Sequence, residues 1–280
     1  MNEDIAKSKR EGLVRLLKDM DSLLVAFSGG VDSTFLLALA HETMGKKVVA
    51  VTASSVIHPI RETESAREFA REKEIGHIII HPNELSLTDF TSNTSERCYY
   101  CKRNLFELLL QIARDKGIKQ VAHGANMDDL RDYRPGFRAA GEMGVMAPLV
   151  DVQLGKEEIR FLSKDMGLIT WDKPAMACLA SRVPYGSPIT EKKLKMIEDA
   201  ETFLIDRGFK KVRVRHNGST ARIEVERSGH KKIIDEGLAY AVVAEFRGIG
   251  FNHITLDLEG YIPGSLNRDL GNKKKKESAE

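Results

Sequence analysis

Two groups of residues in this sequence have types and spacings that could do chemistry. The first is the set of three cysteines: Cys98 and Cys101, spaced as CxxC, and Cys178, alone in "ACLASR". An odd number of thiols, in a chain whose amino end "MNEDIAKSKREGLVRLL" lacks an apolar stretch of signal-peptide length, favours thiol, metal or redox chemistry over structural disulfides. The second is "SGGVDS", Ser28 to Ser33, directly after the apolar run "SLLVAF". A Walker loop, GxxxxGK[ST], reaches the β and γ phosphates with its lysine, and this turn has none. Gly29 and Gly30 sit where the backbone must turn tightly, and Asp32 and Ser33 open the following helix. Backbone N–H groups and the helix dipole can cradle an anion there, with the Ser28 and Ser33 hydroxyls as further donors. That arrangement suits a departing pyrophosphate, although a plain strand-to-helix turn tolerates Gly-Gly as well.

Further candidates are scattered. "GANMDDLRDYRPGFRAAGE" sets Asp128, Asp129 and Asp132 beside Arg131, Arg134 and Arg138. Mg²⁺ takes carboxylates, and phosphates or carboxylates take arginine forks; a solvated, salt-bridged loop is the alternative. Arg213 and Arg215 alternate along one strand and share a face, which suits bidentate phosphate binding or, equally, an exposed basic edge. Glu201 falls on the apolar stripe of Leu194, Ile197 and Leu204, where a carboxylate must snorkel or meet a partner. Ser181 and Arg182 flank the cysteine loop; they could orient a substrate, and Arg182 could equally pair with a carboxylate.

The elements that must position these residues follow from periodicity. The first half alternates β-rich runs ("SLLVAFS", "KKVVAVTA", "HIIIHP", "KQVAHGAN") with helical patterns over Thr34 to Met44, Thr63 to Glu74 and Cys101 to Lys116. In the last of these, Leu105, Leu108, Leu109 and Ile112 form the expected buried stripe. Such alternation predicts an α/β fold with a doubly wound parallel sheet whose ligands bind beyond the carboxyl ends of the strands. After Pro188 the pattern becomes a smaller α+β unit: a helix from Thr190 to Arg207, strands "KVRVRH" and "ARIEVE", a helix from Lys231 to Phe246 and a strand "HITLDLEG". The expected organisation is a domain over 1–170, a cysteine-bearing linker over 171–189, a small domain over 190–265 and a disordered basic tail over 266–280.

The string SGGxDS is the signature of the PP-loop ATP pyrophosphatases, which this sequence resembles. The resemblance implies that Ser28, Gly29, Gly30, Asp32 and Ser33 hold the pyrophosphate end of ATP with Mg²⁺, and that Thr52, Ala53 and Ser54 lie where relatives contact adenosine. "GANMDDLRDYRPGFRAA", "ACLASRVPYG" and "VRVRHNGSTARIEV" further resemble the LarE family of sulfur transferases, which make the pincer cofactor of nickel-dependent lactate racemase. That resemblance implies that a carboxylate of pyridinium-3,5-biscarboxylic acid mononucleotide is adenylylated and then converted to a thiocarboxylate. It places Cys178 at the family's sulfur-bearing cysteine, Arg213 and Arg215 at the substrate phosphate, and an acidic metal or substrate contact near Glu201. Single-cysteine members give up their own sulfur and act once. Cys98 and Cys101 depart from that pattern; with Cys178 they could hold a [4Fe-4S] cluster, since three thiolates leave one iron free to carry sulfide. Zinc with His123 or His81 as fourth ligand, a redox pair and plain buried thiols are the alternatives.

Composition bounds the rest. A formal charge of +2, from 43 basic and 41 acidic residues, with 6% aromatics, is weak ground for a nucleic-acid partner, so a tRNA thiolase is the second choice. An amidotransferase-type synthetase leaves the thiols without a task, and a metal-carrying scaffold leaves the loop without one. No apolar run approaches the roughly 18 residues of a membrane span, and a cytoplasmic protein is expected; the resemblance to the LarE family, whose members form homo-oligomers, implies a homo-oligomer, a hexamer among the options, with the sulfide donor unspecified.

Overall fold

The computed structural model describes residues 1–131, 135–174, 177–262 and 264–268, so the expected basic tail lies almost wholly outside the described residues. The chain runs α1 (Glu3–Lys18), β1 (Leu23–Ala26), α2 (Val31–Met44), β2 (Val48–Ala53), α3 (Ile60–Glu72), β3 (Gly76–Ile80), α4 (Thr88–Thr91), α5 (Arg97–Asp115), β4 (Gln120–His123), α6 (Pro135–Glu142), α7 (Pro148–Asp151) and α8 (Lys156–Asp165). It continues with α9 (Glu191–Asp206), β5 (Val212–Asn217), β6 (Thr220–Val225), α10 (His230–Ile234), α11 (Glu236–Ile249) and β7 (His253–Leu256). Contacts divide it into two compact units, one of Met1–Leu87 with Glu96–Met176, the other of Thr88–Ser95 with Ala177–Glu280. No helix among the described residues is long and apolar enough to cross a membrane.

The first unit is a parallel sheet in the order β3-β2-β1-β4. Successive residues of β1 point to opposite faces. Leu23 and Val25 join the core with α1, α2 and α8, whereas Leu24 joins Val51, Val121, Phe106 and Leu109 on the other side. Both faces are therefore covered, as the continuous apolar run of β1 requires. The connections through α2 and α3 lead away from β1 on one side, and β4 returns on the other, so the strand order reverses between β1 and β4. That switch point is where open parallel sheets bind ligands. The helix expected over Cys101 to Lys116 begins earlier, at Arg97, and its buried line is Phe106, Leu109 and Ala113. Leu108 is 39% exposed instead of belonging to the stripe.

In the second unit α9 covers a sheet of order β5-β6-β7, with β5 antiparallel and β7 parallel to β6. The hairpin between β5 and β6 turns through Gly218, which has φ 64°, and so fixes their register. The helix expected from Lys231 to Phe246 is two helices, broken at Asp235, whose ψ of 131° is extended. The short segment Thr88–Ser95 belongs to this unit through Asn93, buried with φ 55°; its side-chain amide donates to the carbonyls of Pro184 and Ser187 at 2.8 and 2.7 Å.

Candidate functional site

The glycine turn leaves β1 at Ala26 and enters α2 at Val31. Gly29 has φ 70°, and a Cβ there would stand 3.3 Å from both the Ala66 methyl and the Glu62 carbonyl. Gly30 precedes α2 with no side chain capping the first turn, which leaves those amides for an anion. Ser28 and Ser33 Oγ lie 3.0 Å apart, and Ser33 Oγ also accepts from the Ser28 amide at 3.2 Å, so the two hydroxyls brace the turn. The loop after β4 closes the other side. A Cβ on Gly124 would fall 2.8 Å from Ser33 N and 2.9 Å from its Cα, so only glycine fits there. Sequence inspection passed over this residue.

Lysines reach the lysine-free loop from far downstream. Lys156 Nζ donates to Asp32 Oδ2 at 2.5 Å, while Asp32 Oδ1 is buried with no hydrogen-bond partner. Burial pushes the Asp32 carboxyl above its ordinary range; Lys156 opposes the shift and Asp129 adds to it. Lys173 Nζ lies 3.0 Å from the Gly29 carbonyl and 2.8 Å from Glu62 Oε2. Lys156 is the first residue of α8, whose N-cap, Gly155, has no side chain; Asp128 Oδ2 accepts from the Lys156 amide at 2.6 Å in its place. Asp128 therefore caps the helix that carries Lys156. Arg160, one turn along α8, donates to the carbonyls of Trp171 and Lys173 at 2.7 and 2.8 Å, and Lys164 Nζ stands 4.8 Å from the Trp171 ring centroid. No local sequence signal connects Lys156 or Lys173 to the loop. Asp132 and Arg134 lie outside the described residues, and Arg138 pairs with Glu96 at 2.6 Å.

Thr52 and Ser54 are at and just beyond the end of β2. The Thr52 hydroxyl is buried, donating to the Phe27 carbonyl at 2.7 Å and lying 2.8 Å from His77 Nε2; Ser54 engages Ile80 through its backbone amide at 2.8 Å. Cys98 and Cys101 are the second and fifth residues of α5, one turn apart and half-buried. Among the described residues no group of three His, Cys, Asp or Glu side chains is gathered to hold a metal ion. Burial, helped by the Lys102 cation, lowers His123 from 6.5 to about 4, and its Nε2 has no hydrogen-bond partner. His81 Nδ1 meets the Ser54 carbonyl at 3.0 Å.

In the second unit Cys178 is half-buried and precedes a single turn, Leu179–Arg182. Arg182 and Glu201 answer each other's sequence puzzle: they form a two-pronged pair at 2.8 Å, with side chains 0% and 4% exposed. Burial works against the Arg182 charge, and Glu201 more than restores it, with a smaller contribution from Cys178. Arg182 Nη1 also donates to the Ala177 and Cys178 carbonyls at 2.6 and 2.9 Å and to Ser181 Oγ at 3.0 Å. Glu201 accepts from the Val214 amide at 2.9 Å. Arg213 and Arg215 are both buried, which corrects the alternative of an exposed basic edge. Arg215 grips Glu224 at 2.8 and 2.9 Å and donates to the Ser181 carbonyl at 2.8 Å. Arg213 stands 5.1 Å from the Tyr261 ring centroid, and burial first, then Arg182, lowers its pKa. Glu224 was not singled out in the sequence, although the hairpin register sets it opposite Arg213.

Comparison with known proteins agrees with the first unit's geometry. Residues 2–131 match the family model of the PP-loop domain. The chain is 34% identical over 94% of its length to the pyridinium-3,5-bisthiocarboxylic acid mononucleotide synthase of Lactiplantibacillus plantarum, covering 95% of that protein. The chain belongs to the LarE family. An uncharacterized protein of Synechocystis sp. is 41% identical to this LarE-family chain over 94% of it and is covered to 98%. More distant similarity, 26% over 66% of the chain, reaches the glutamine-hydrolyzing GMP synthase of Aeropyrum pernix, of which it covers 39%. The glycine turn thus lies within the residues that match a PP-loop domain, a domain that uses ATP.

Proposed function

We propose that the protein is an ATP-dependent sulfur transferase that makes a thiocarboxylate on a pyridinium dicarboxylate mononucleotide; the name of its L. plantarum relative gives a product of that kind, a pyridinium bisthiocarboxylic acid mononucleotide. The observation that carries this is the glycine turn at the sheet's switch point, with the first turn of α2 uncapped by any side chain and Asp32 Oδ1 buried there without a partner. A substrate carboxylate oxygen attacks the α-phosphorus of ATP, and the bond from that phosphorus to the oxygen bridging the β-phosphate breaks. Pyrophosphate leaves into the turn formed by Ser28, Gly29, Gly30, Asp32 and Ser33. A sulfur nucleophile then attacks the acyl carbon of the adenylate, and AMP departs with the electron pair of the C–O bond. Mg²⁺ fits at Asp32, whose Oδ1 is buried without a partner, and would screen the phosphate charge. Ser54 lies on the rim where adenosine would bind. Arg213 and Arg215 lie in the unit that carries Cys178 and are assigned to the substrate phosphate.

The sulfur is assigned to the cysteines. All three are free of disulfides, and their donor chemistry suits a [4Fe-4S] cluster. Such a cluster would supply an iron able to carry sulfide. ATP–pyrophosphate exchange dependent on the dicarboxylate tests the activation step, and its absence would overturn the enzyme. Iron and acid-labile sulfide analysis of anaerobically purified protein, with intact mass before and after turnover, tests the sulfur source. An unchanged mass with iron present supports the cluster. Loss of one H₂S per chain assigns the sulfur to Cys178 itself. A soluble cytoplasmic homo-oligomer acting on this small molecule is the setting we infer.

A further inference from the structure

We propose that the Ser265 hydroxyl occupies the position on Arg215 that the phosphate of the mononucleotide substrate takes, and that the substrate binds by displacing it. The inference rests on the assignment of Arg213 and Arg215 to that phosphate. A guanidinium has five N–H donors, and those of Arg215 are largely taken. Glu224 accepts from Nε and Nη2 at 2.8 and 2.9 Å, the Ser181 carbonyl from Nη1 at 2.8 Å, and Ser265 Oγ from Nη2 at 2.9 Å. An arginine so engaged takes a phosphate by exchanging one of these partners.

The three partners differ in what their departure costs. Arg215 and Glu224 are 7% and 1% exposed, and parting a buried ion pair strands both charges. The Ser181 carbonyl is main chain in the turn after Cys178. That residue is fixed to the Cys178 carbonyl through its amide at 3.0 Å and its hydroxyl at 2.8 Å, and Arg182 Nη1 holds the same hydroxyl at 3.0 Å. Ser265 instead offers a neutral hydroxyl on a single turn, Ser265–Asn267, entered through Gly264 at φ 74°. A phosphate oxygen brings a full negative charge to the guanidinium where the hydroxyl brings only a dipole, so the exchange favours the phosphate. Until then the serine meets the need of a buried donor that would be costly to leave unpaired.

The residues after β7 return to both arginines. At Gly260, with φ 77°, a Cβ would stand 2.6 Å from the Val225 carbonyl, so the return requires glycine. The Tyr261 amide donates to that carbonyl at 2.8 Å, and its ring centroid lies 5.1 Å from Arg213 Cζ. Asn267 Oδ1 accepts from the Tyr185 hydroxyl at 3.2 Å, which gives the turn bearing Ser265 a second tie, to the loop that follows Cys178.

The test is equilibrium binding to the full-length protein, to Ser265→Ala and to Ser265→Thr. The probes are pyridinium-3,5-biscarboxylic acid mononucleotide and the same nucleoside without its phosphate. Ser265→Ala removes the competitor and should bind the mononucleotide about three- to tenfold more tightly, with the nucleoside unchanged. Ser265→Thr keeps the hydroxyl and should match wild type. A serine with a merely structural role would, once removed, weaken binding or leave it unaltered. Either result, in a protein whose wild type prefers the mononucleotide to the nucleoside, overturns the inference and leaves the arginine assignment standing, as does a threonine variant that binds as tightly as the alanine one. Wild-type protein that binds the two probes equally overturns the arginine assignment itself.

Discussion

Gly124 shows how a residue without functional groups can decide a site. Its α-carbon is packed against the backbone of Ser33, and a single added methyl would meet main-chain atoms at 2.8 and 2.9 Å. Main chain does not swing aside as a side-chain tip does, so Gly124→Ala must displace the start of α2. We expect a loss of about 1–3 kcal/mol in unfolding free energy and a larger proportional loss of pyrophosphate affinity, read by denaturant unfolding and calorimetry on the same preparation. Asp32→Ala is expected to abolish ATP–pyrophosphate exchange while leaving any iron bound to the cysteines unchanged. Normal exchange by that variant would remove Asp32 from the site. The Gly-Gly turn was legible in the sequence because turn chemistry is local. Lys156, 124 residues from Asp32, had no local signal to betray it, since any helix can begin with lysine.

At the scale of elements, the Arg182–Glu201 pair locks the turn that follows Cys178 to α9, and Glu201 also reaches the Val214 amide of β5. Three pieces of the second unit are thereby fixed around one buried ion pair. Removing one partner strands the other's charge, so Arg182→Met is expected to destabilise the protein by about 3–5 kcal/mol. The double variant Arg182→Met with Glu201→Leu should recover most of that, as measured by urea unfolding. If the single and double variants unfold alike, the pair is not what holds the turn. The anomaly of Glu201 was visible because α9 is strongly periodic, yet its partner was ambiguous: Arg182 lies 19 residues earlier in a loop without period. Helix breaks were harder to see. Nothing in "HKKIIDEGLAY" marks Asp235 as extended, since the apolar spacing continues across it.

For the molecule as a whole, the alternation of strands and helices was enough to give the parallel sheet, because β1 must bury both faces and only flanking helices on each side can cover them. The arrangement also sets a pH response. Burial lowers His58 and His123 from 6.5 to about 4. Between those values the unfolded chain binds protons that the folded protein refuses, so stability is complete above pH 6.5 and falls as the pH drops towards 4, by up to about 3 kcal/mol per histidine. His123→Asn should show a shallower fall over that window in denaturant titrations at pH 7 and pH 5; an unchanged slope would place the proton uptake elsewhere. One further consequence lies in the segment that Arg160 holds. The chain contains a single tryptophan, and Trp171 stands two residues from the Lys173 ammonium at the loop. Its indole emission therefore reports on one place in the protein, and occupancy of the loop becomes readable by intrinsic fluorescence, with no dye attached.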